Sequence, residues 1–264
     1  MKIHHFDKRF NIEGKSPFTM LTSYDAFSAR TSHEAGIDCL LVGDSVGMVV
    51  YGFDSTLNVT VEMIARHTEA VRRAAPEAFI IADMPFMSYR KGFESCMNAA
   101  EELMRSGANA VKLEGAKGNL EIVRHLVDSG VPVMGHLGLT PQSVQIFGGY
   151  KVQARKEEEQ QKLLQEAKQL QDAGIFSLVI ECVPAHIAET LTQSLQIPTI
   201  GIGAGSACDG QVLVWHDLLG CHTGFEPKFL RKYAHLNSLV KESISSFVNE
   251  VKTGKFPSVE ESYS

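Results

Sequence analysis

Short apolar runs alternate with helix-length stretches almost from end to end of this chain, a rhythm that few folds accommodate. Eight runs read as strands: Phe18–Ser23, Cys39–Asp44, Phe79–Asp83, Ala110–Glu114, Val131–His136, Ser177–Glu181, Pro198–Ile202 and Val212–Trp215. Between them, Thr60–Ala75, Gly92–Ser106, Asn119–Ser129 and Glu157–Asp172 are long enough for helices. Gly36, Gly107, Gly130 and Gly174 each follow a helical pattern at the point where a chain turns left-handed. Strands alternating with helices pair in parallel through right-handed crossovers. Eight such units close a (β/α)8 barrel of the TIM type; a doubly wound open sheet is the competing architecture. No linker interrupts the 264 residues, which predicts one barrel domain over 1–264 with a C-terminal helical tail. In that tail Tyr233–Val251 reads as helix and Ser258–Ser264 as a polar end.

Charge and cysteine usage narrow the function classes. The formal net charge is −6, and no basic stripe interrupts it, which argues against nucleic acid and anionic membrane as partners. No segment offers the roughly 18 consecutive apolar residues of a membrane span. Met1–Phe10 is polar and carries no apolar stretch of signal-peptide length. Cys39, Cys96, Cys182, Cys208 and Cys221 are an odd number without a CxxC pair, so reduced thiols and a cytoplasmic location are expected. Cys182 reads as a small apolar filler at a strand end, with a catalytic thiol as the alternative.

The informative feature is how the strands end. Leu40-Leu41-Val42-Gly43-Asp44-Ser45 ends in an acid and a hydroxyl, and Phe79-Ile80-Ile81-Ala82-Asp83 in an acid. Val111-Lys112-Leu113-Glu114 sets Lys and Glu two residues apart, on one face of the strand. Val133-Met134-Gly135-His136 ends in histidine and Leu178-Val179-Ile180-Glu181 in glutamate. A strand buried on both faces does not finish on a charge unless that charge has a partner. In a barrel these ends converge on one mouth, and close carboxylates demand a counter-ion. Asp44, Asp83 and Glu114 are hard oxygen ligands without adjacent thiolates, which suits Mg2+ better than zinc, with some contacts through water. Lys112 would offset an anionic substrate or a developing enolate. The plainer alternatives are that each acid caps the next helix, and that Lys112 and Glu114 form a structural ion pair. His136 is either a hydrogen-bonded structural group or a supporting group near the substrate.

Two loops stand out. Thr140–Arg155, with Phe147-Gly148-Gly149-Tyr150, follows a strand end and reads as a lid or a subunit contact. Ile200-Gly201-Ile202-Gly203-Ala204-Gly205 either binds phosphate through backbone N–H groups or lets a ligand or loop approach closely.

From about Thr19 to Pro257 the chain resembles the ketopantoate (3-methyl-2-oxobutanoate) hydroxymethyltransferase family. The segments that carry the likeness are Leu41 to Met48, Ala82 to Phe86, Val111 to Gly115, Gly135 to Gln142, Ile180 to Pro184 and Gly201 to Gly205. Val46, where the family usually has Leu, and Asn58, where it often has Pro, touch none of the chemical groups above. The resemblance implies a barrel of the phosphoenolpyruvate/pyruvate-like superfamily. It implies transfer of a hydroxymethyl group from 5,10-methylenetetrahydrofolate to 3-methyl-2-oxobutanoate through a Mg-stabilised enolate, giving 2-dehydropantoate for pantothenate and coenzyme A. On this likeness Asp44, Asp83 and Glu114 match the Mg2+ positions. Asp44, Ser45, Asp83 and Lys112 match the oxo-acid positions, with His136 beside them, and Glu181 matches the proton acceptor. It also implies a homo-oligomer, often a decamer.

Two rivals are weighed against this reading. A Mg-dependent 2-oxo acid lyase or mutase on the same barrel would carry a lysine- and cysteine-bearing loop signature, which this chain lacks. A catalytically dead, metabolite-binding barrel would have lost competent residues at the matched positions, and every one of them is retained.

Overall fold

The computed structural model describes residues 17–222 and 226–263. Eight parallel strands follow one another around a closed barrel: β1 (Phe18–Thr22), β2 (Cys39–Val42), β3 (Phe79–Asp83), β4 (Ala110–Glu114), β5 (Val133–Gly138), β6 (Ser177–Glu181), β7 (Thr199–Ile202) and β8 (Gly210–Leu213). The last strand pairs with the first, Phe18 opposite Gly210, which removes every sheet edge. The barrel expectation holds and the open sheet is ruled out.

Helices α1 (Ala26–Glu34), α2 (Val46–Val49), α3 (Val61–Ala74), α4 (Phe93–Arg105), α5 (Leu120–Asp128), α6 (Val144–Phe147), α7 (Glu157–Asp172) and α8 (Ala185–Ser194) lie between the strands. Their starts are capped locally: Asp25 accepts from Ser28 N at 2.7 Å, and Thr60 Oγ1 accepts from Met63 N at 3.2 Å. The four glycines expected to end helices all have positive φ, from 86° at Gly130 to 107° at Gly107.

Strand alternation divides the core in two. Leu40, Val42, Ile80, Ala82, Val111, Leu113, Leu178 and Ile180 face outward and pack under the helices in one large apolar cluster. The intervening residues Leu41, Phe79, Ile81, Ala110, Met134, Val179, Ile200 and Val212 face inward and fill the lumen. One step further along the same inward face come Asp83, Lys112, Glu114, His136 and Glu181. The barrel is therefore plugged with hydrocarbon below and carries its charges only at the C-terminal ends of the strands.

Several strand boundaries differ from those read from the sequence: β1 ends at Thr22 rather than Ser23, β2 at Val42 rather than Asp44, and β7 begins at Thr199 rather than Pro198. The fifth strand begins at Val133 rather than Val131, because Val131 N still bonds to Leu126 O in the helix stop and Pro132 has no N–H to donate. It then runs past His136 to Gly138, which pairs with Glu181. The eighth strand covers Gly210–Leu213, not Val212–Trp215; its first two residues gain their place from pairing with β1 and β7, and Trp215 opens a short helix instead. The strand–helix alternation also lapses between β7 and β8, which only residues 203–209 connect. Here Gly205 stands where a Cβ would come within 2.6 Å of Ala185 Cβ, so the glycine-rich stretch serves close packing against the start of α8. The reading of Met1–Phe10 lies outside the described residues, as does that of Ser264.

The described residues from Trp215 onward form a second compact unit. It holds α9 (Trp215–Leu218) and α10 (Leu236–Lys252), the latter three residues later at its start than expected from Tyr233. Tyr233 N bonds to Leu218 O and Leu236 N to Leu219 O, tying the start of α10 to the end of α9. No residue of α10 is buried, and Leu239, Ile244, Phe247 and Val251 are exposed along it. Among the described residues no helix is long and apolar enough to cross a membrane.

At the N-terminal end of the barrel one side chain bridges several elements. From α3, Arg72 Nε donates to Gly107 O at 2.9 Å, its NH1 to Pro76 O and Ala78 O at 2.7 and 2.9 Å, and its NH2 to Asn109 Oδ1 at 2.6 Å. Asn109 Oδ1 in turn receives Ile80 N of β3 at 2.8 Å. Replacing a charged donor leaves these acceptors short of partners. Arg72→Met is expected to lower the unfolding free energy by about 2–3 kcal/mol in a urea titration, with no loss of site chemistry in the folded protein.

Candidate active site

At the C-terminal ends of the strands a cavity of about 120 Å3 is lined by Asp44, Asp83, Lys112, Glu114, His136 and Glu181, with Ser45 beside them. Every candidate named from the sequence thus reaches one cavity. Asp44, Asp83, Lys112, Glu114 and His136 are all 5% exposed or less, and Glu181 is the one acid of the set with a partly open side chain, at 16%. Barrel enzymes place their chemistry at this end, where loops converge and the strands supply rigid anchors.

Strand register sets the neighbours. Asp83 stands opposite Lys112, and its Oδ1 lies 2.8 Å from the Lys112 ammonium. Glu114 stands opposite His136, with Glu114 Oε1 3.6 Å from Nδ1. Glu181 Oε2 lies 3.1 Å from the other ring nitrogen, Nε2, so the imidazole bridges two carboxylates. Asp44 sits just beyond β2; its backbone N donates to Asp83 Oδ2 at 2.9 Å. Ser45 Oγ is hydrogen-bonded to the buried Tyr24 hydroxyl at 2.8 Å. Gly138 has φ +92°, and a Cβ there would fall 2.2 Å from Glu181 O, so only glycine lets the end of β5 lie this close to the Glu181 backbone.

These contacts decide between the alternatives left open by the sequence. The acids do not serve as caps for the helices that follow them: Asp83 receives a neighbouring loop's N–H, and Asp44 and Glu114 are held by Gln142, as described below. Lys112 pairs with Asp83 on the adjacent strand, and its Nζ also stands 3.4 Å from His136 Nδ1.

The electrostatics follow from crowding like charges away from water. Burial, reinforced by the charges of Asp83 and Glu114, holds the Asp44 carboxyl well above the usual carboxylate range. Burial works against the Lys112 charge, but Asp83, Glu114 and Asp44 outweigh it and keep the ammonium above the ordinary lysine value. Burial and Lys112 likewise oppose a charge on His136, yet its contacts with Glu114 and Glu181 lift it to about 9. Burial first and the Glu181 charge second push the Cys182 thiol up to about 12, which favours the filler reading over a nucleophile.

Glu114 Oε1 is buried and makes no hydrogen bond, with His136 Nδ1 3.6 Å away, and Asp83 Oδ1 is met by the Lys112 ammonium as an ion-pair partner. Anionic oxygens left short of donors suit a hard divalent cation. Among the described residues no three His, Cys, Asp or Glu side chains are drawn together as a ready chelating group.

The sequence reading missed one residue of this site. Gln142 is buried, donates from Nε2 to Asp44 Oδ2 at 2.9 Å, and from its backbone N to Glu114 Oε2 at 3.0 Å. Its signals were its place after Pro141 in the Thr140–Arg155 loop and at the end of the Gly135–Gln142 segment that carries the family likeness. That loop forms a 3-10 turn at Pro141–Ser143 and then α6, and it carries Tyr150 to the cavity wall, where the hydroxyl stands 3.5 Å from Met48 Sδ.

Known proteins resemble this chain at two levels. Among solved structures, a phosphoenolpyruvate phosphomutase from Streptomyces platensis superposes with TM-score 0.62 at 12% identity, covering 96% of this chain and 88% of its own. A 2,3-dimethylmalate lyase, described as a member of the PEP mutase/isocitrate lyase superfamily, gives 0.61 at 16%, with 100% and 92% covered. A phosphonopyruvate hydrolase determined with oxalate and Mg2+ gives 0.63 at 12%, with 99% and 93% covered. At such identities these likenesses establish the fold alone. In sequence, a 3-methyl-2-oxobutanoate hydroxymethyltransferase of Bdellovibrio bacteriovorus is 56% identical over 250 residues, 95% of each chain. One of Thermotoga maritima is 49% identical over 257 residues, 97% of this chain and 95% of its own. The profile of the ketopantoate hydroxymethyltransferase family matches residues 1–259. With that span and those identities, the chain belongs to the ketopantoate hydroxymethyltransferase family.

Proposed function

We propose that the chain transfers a hydroxymethyl group from 5,10-methylenetetrahydrofolate to 3-methyl-2-oxobutanoate, with water supplying the hydroxyl oxygen, to give 2-dehydropantoate and tetrahydrofolate. The observation that carries this reading is the convergence of Asp44, Asp83, Lys112, Glu114, His136 and Glu181 on one small buried cavity. A volume of about 120 Å3 suits a compact acid far better than a folate, since pockets for larger ligands run to about 300–1,000 Å3. On this reading the oxo acid occupies the cavity and the one-carbon carrier approaches from its mouth, past Tyr150 and Met48.

Asp44, Asp83 and Glu114 would hold the magnesium ion, on the grounds of hard donors and undersupplied oxygens given above. When bound, the ion supplies positive charge beside the ketone oxygen, where negative charge builds as the C3 proton leaves. Lys112, kept charged by its carboxylate neighbours, and Ser45, oriented by Tyr24, bind the carboxylate end of the oxo acid. Glu181 takes the C3 proton. It is the least buried acid of the set, and it lies across the imidazole from Glu114. His136, set between Glu114 and Glu181, orients the base and balances its charge. The lyase or mutase alternative rests on likenesses of 12–16% identity, whereas relatives at 49–56% carry the hydroxymethyltransferase name.

Turnover of both substrates with release of tetrahydrofolate, abolished by a chelator and restored by Mg2+, is the expected result; cleavage of an oxo acid without folate would favour the lyase. Glu181→Gln is expected to leave oxo-acid binding within about twofold and to slow C3 deuterium exchange by about 10^2–10^4. Exchange at the wild-type rate would remove Glu181 as the base. His136 supplies the pH signature. Its folded value, about 9, lies above the unfolded one, so in metal-free protein its stabilising contacts are complete below about pH 6.5 and are lost as pH rises through about 9. Thermal melts of wild type should therefore fall more steeply between pH 7 and 10 than those of His136→Gln.

A further inference from the structure

Gln142 is cross-linked to three strand ends at once. It follows Pro141 at the start of a 3-10 turn, where backbone N–H groups have no partner within the turn, and its N–H turns to Glu114 Oε2 at 3.0 Å. Its side-chain Nε2 donates twice, to Asp44 Oδ2 at 2.9 Å and to Met84 O at 3.0 Å. Its Oε1 accepts from the buried Tyr89 hydroxyl at 2.8 Å. The reversed amide would set an oxygen against a carboxylate and a carbonyl, so the surroundings allow one orientation only.

The consequence is a restriction on each carboxylate. Asp44 spends Oδ2 on Gln142, and Glu114 spends Oε2 on it, which leaves Oδ1 and Oε1 as the oxygens open to a cation. Glu114 Oε1 is buried and makes no hydrogen bond; His136 Nδ1 stands 3.6 Å from it, beyond hydrogen-bond distance. Magnesium takes one oxygen per carboxylate in a tight octahedron at about 2.0–2.1 Å, whereas calcium accepts both oxygens of a carboxylate and more ligands at about 2.3–2.6 Å. We propose that Gln142 is a positioning residue that holds Asp44 and Glu114 to one open oxygen each and thereby sets a preference for magnesium over calcium. This rests on the divalent-cation reading of the same site, and it goes beyond that reading by assigning selectivity to a residue that need not touch the ion.

The test is calorimetric titration of the metal-free full chain with MgCl2 and, separately, CaCl2, without substrate. Gln142→Met keeps the side chain's length, removes both donors and retains the backbone N–H on Glu114. Magnesium binding is expected to weaken by about 10–100-fold, as for other residues that orient metal ligands, while calcium binding changes by less than about threefold. The Mg/Ca affinity ratio then falls at least about tenfold. A purely structural role would weaken both cations alike and leave the ratio where it was, and that result overturns the inference while leaving the cation reading intact. Failure of wild type to bind either cation overturns both. Should Gln142→Met not fold, Tyr89→Phe carries the same question: it removes the hydroxyl that orients the amide, and it should lower the ratio by about threefold. An unchanged ratio in that folded variant overturns the inference as well.

Discussion

Everything at the mouth of this barrel depends on how carboxylates tolerate one another away from water. Asp44, Asp83 and Glu114 share a cavity whose walls below are hydrocarbon, and the strain of that arrangement is visible in Asp44, whose carboxyl resists ionisation. Two cationic side chains answer it from within. Lys112 sits against Asp83, and His136 lies between Glu114 and Glu181. Four acids against two bases leave the cluster short of positive charge, which is the physical ground on which we propose a divalent ion there.

The scaffold keeps this cluster in place by simple periodicity. On β3 the inward side chains are Phe79, Ile81 and Asp83; on β4 they are Ala110, Lys112 and Glu114; on β6, Val179 and Glu181. On each of these strands an apolar residue two positions before the first charge, Ile81, Ala110 or Val179, packs in the lumen among neighbours from other strands. A charged group so mounted has little freedom to relax, which is how a fold preserves repulsion that a flexible loop would relieve. Loops then add what strands do not: the Pro141–Ser143 turn brings an amide to two of the acids, and Tyr150 closes the cavity wall above them.

Much of this was legible before any coordinates. The eight runs, the glycine stops and the spacing of Lys112 and Glu114 rest on local rules, and those elements stand where the rules put them. The misreadings came where pairing with distant residues overrides local preference. Gly210 and Gln211 look like loop but become strand because Phe18 and Thr19 lie beside them, and Trp215, apolar enough to extend a strand, opens a helix. The seven residues 203–209 join two parallel strands without a helix, against the alternation seen elsewhere. Gln142 was passed over because an amide carries no charge pattern to notice; its importance lies in four hydrogen bonds to Asp44, Met84, Tyr89 and Glu114, none of them nearby in sequence.

The sequence by itself determined the barrel, the strand that carries each acid, and which side chains of a strand share a face, because those follow from residue periodicity and chain chirality. Its likeness to relatives determined the family. Only the tertiary structure decided which oxygen meets which donor: that Asp83 faces Lys112, that His136 spans Glu114 and Glu181, and that one glutamine restrains two carboxylates. Such pairings depend on strand register and loop path, which no local window encodes, and on distances of a few tenths of an ångström, over which a buried charge gains or loses its partner.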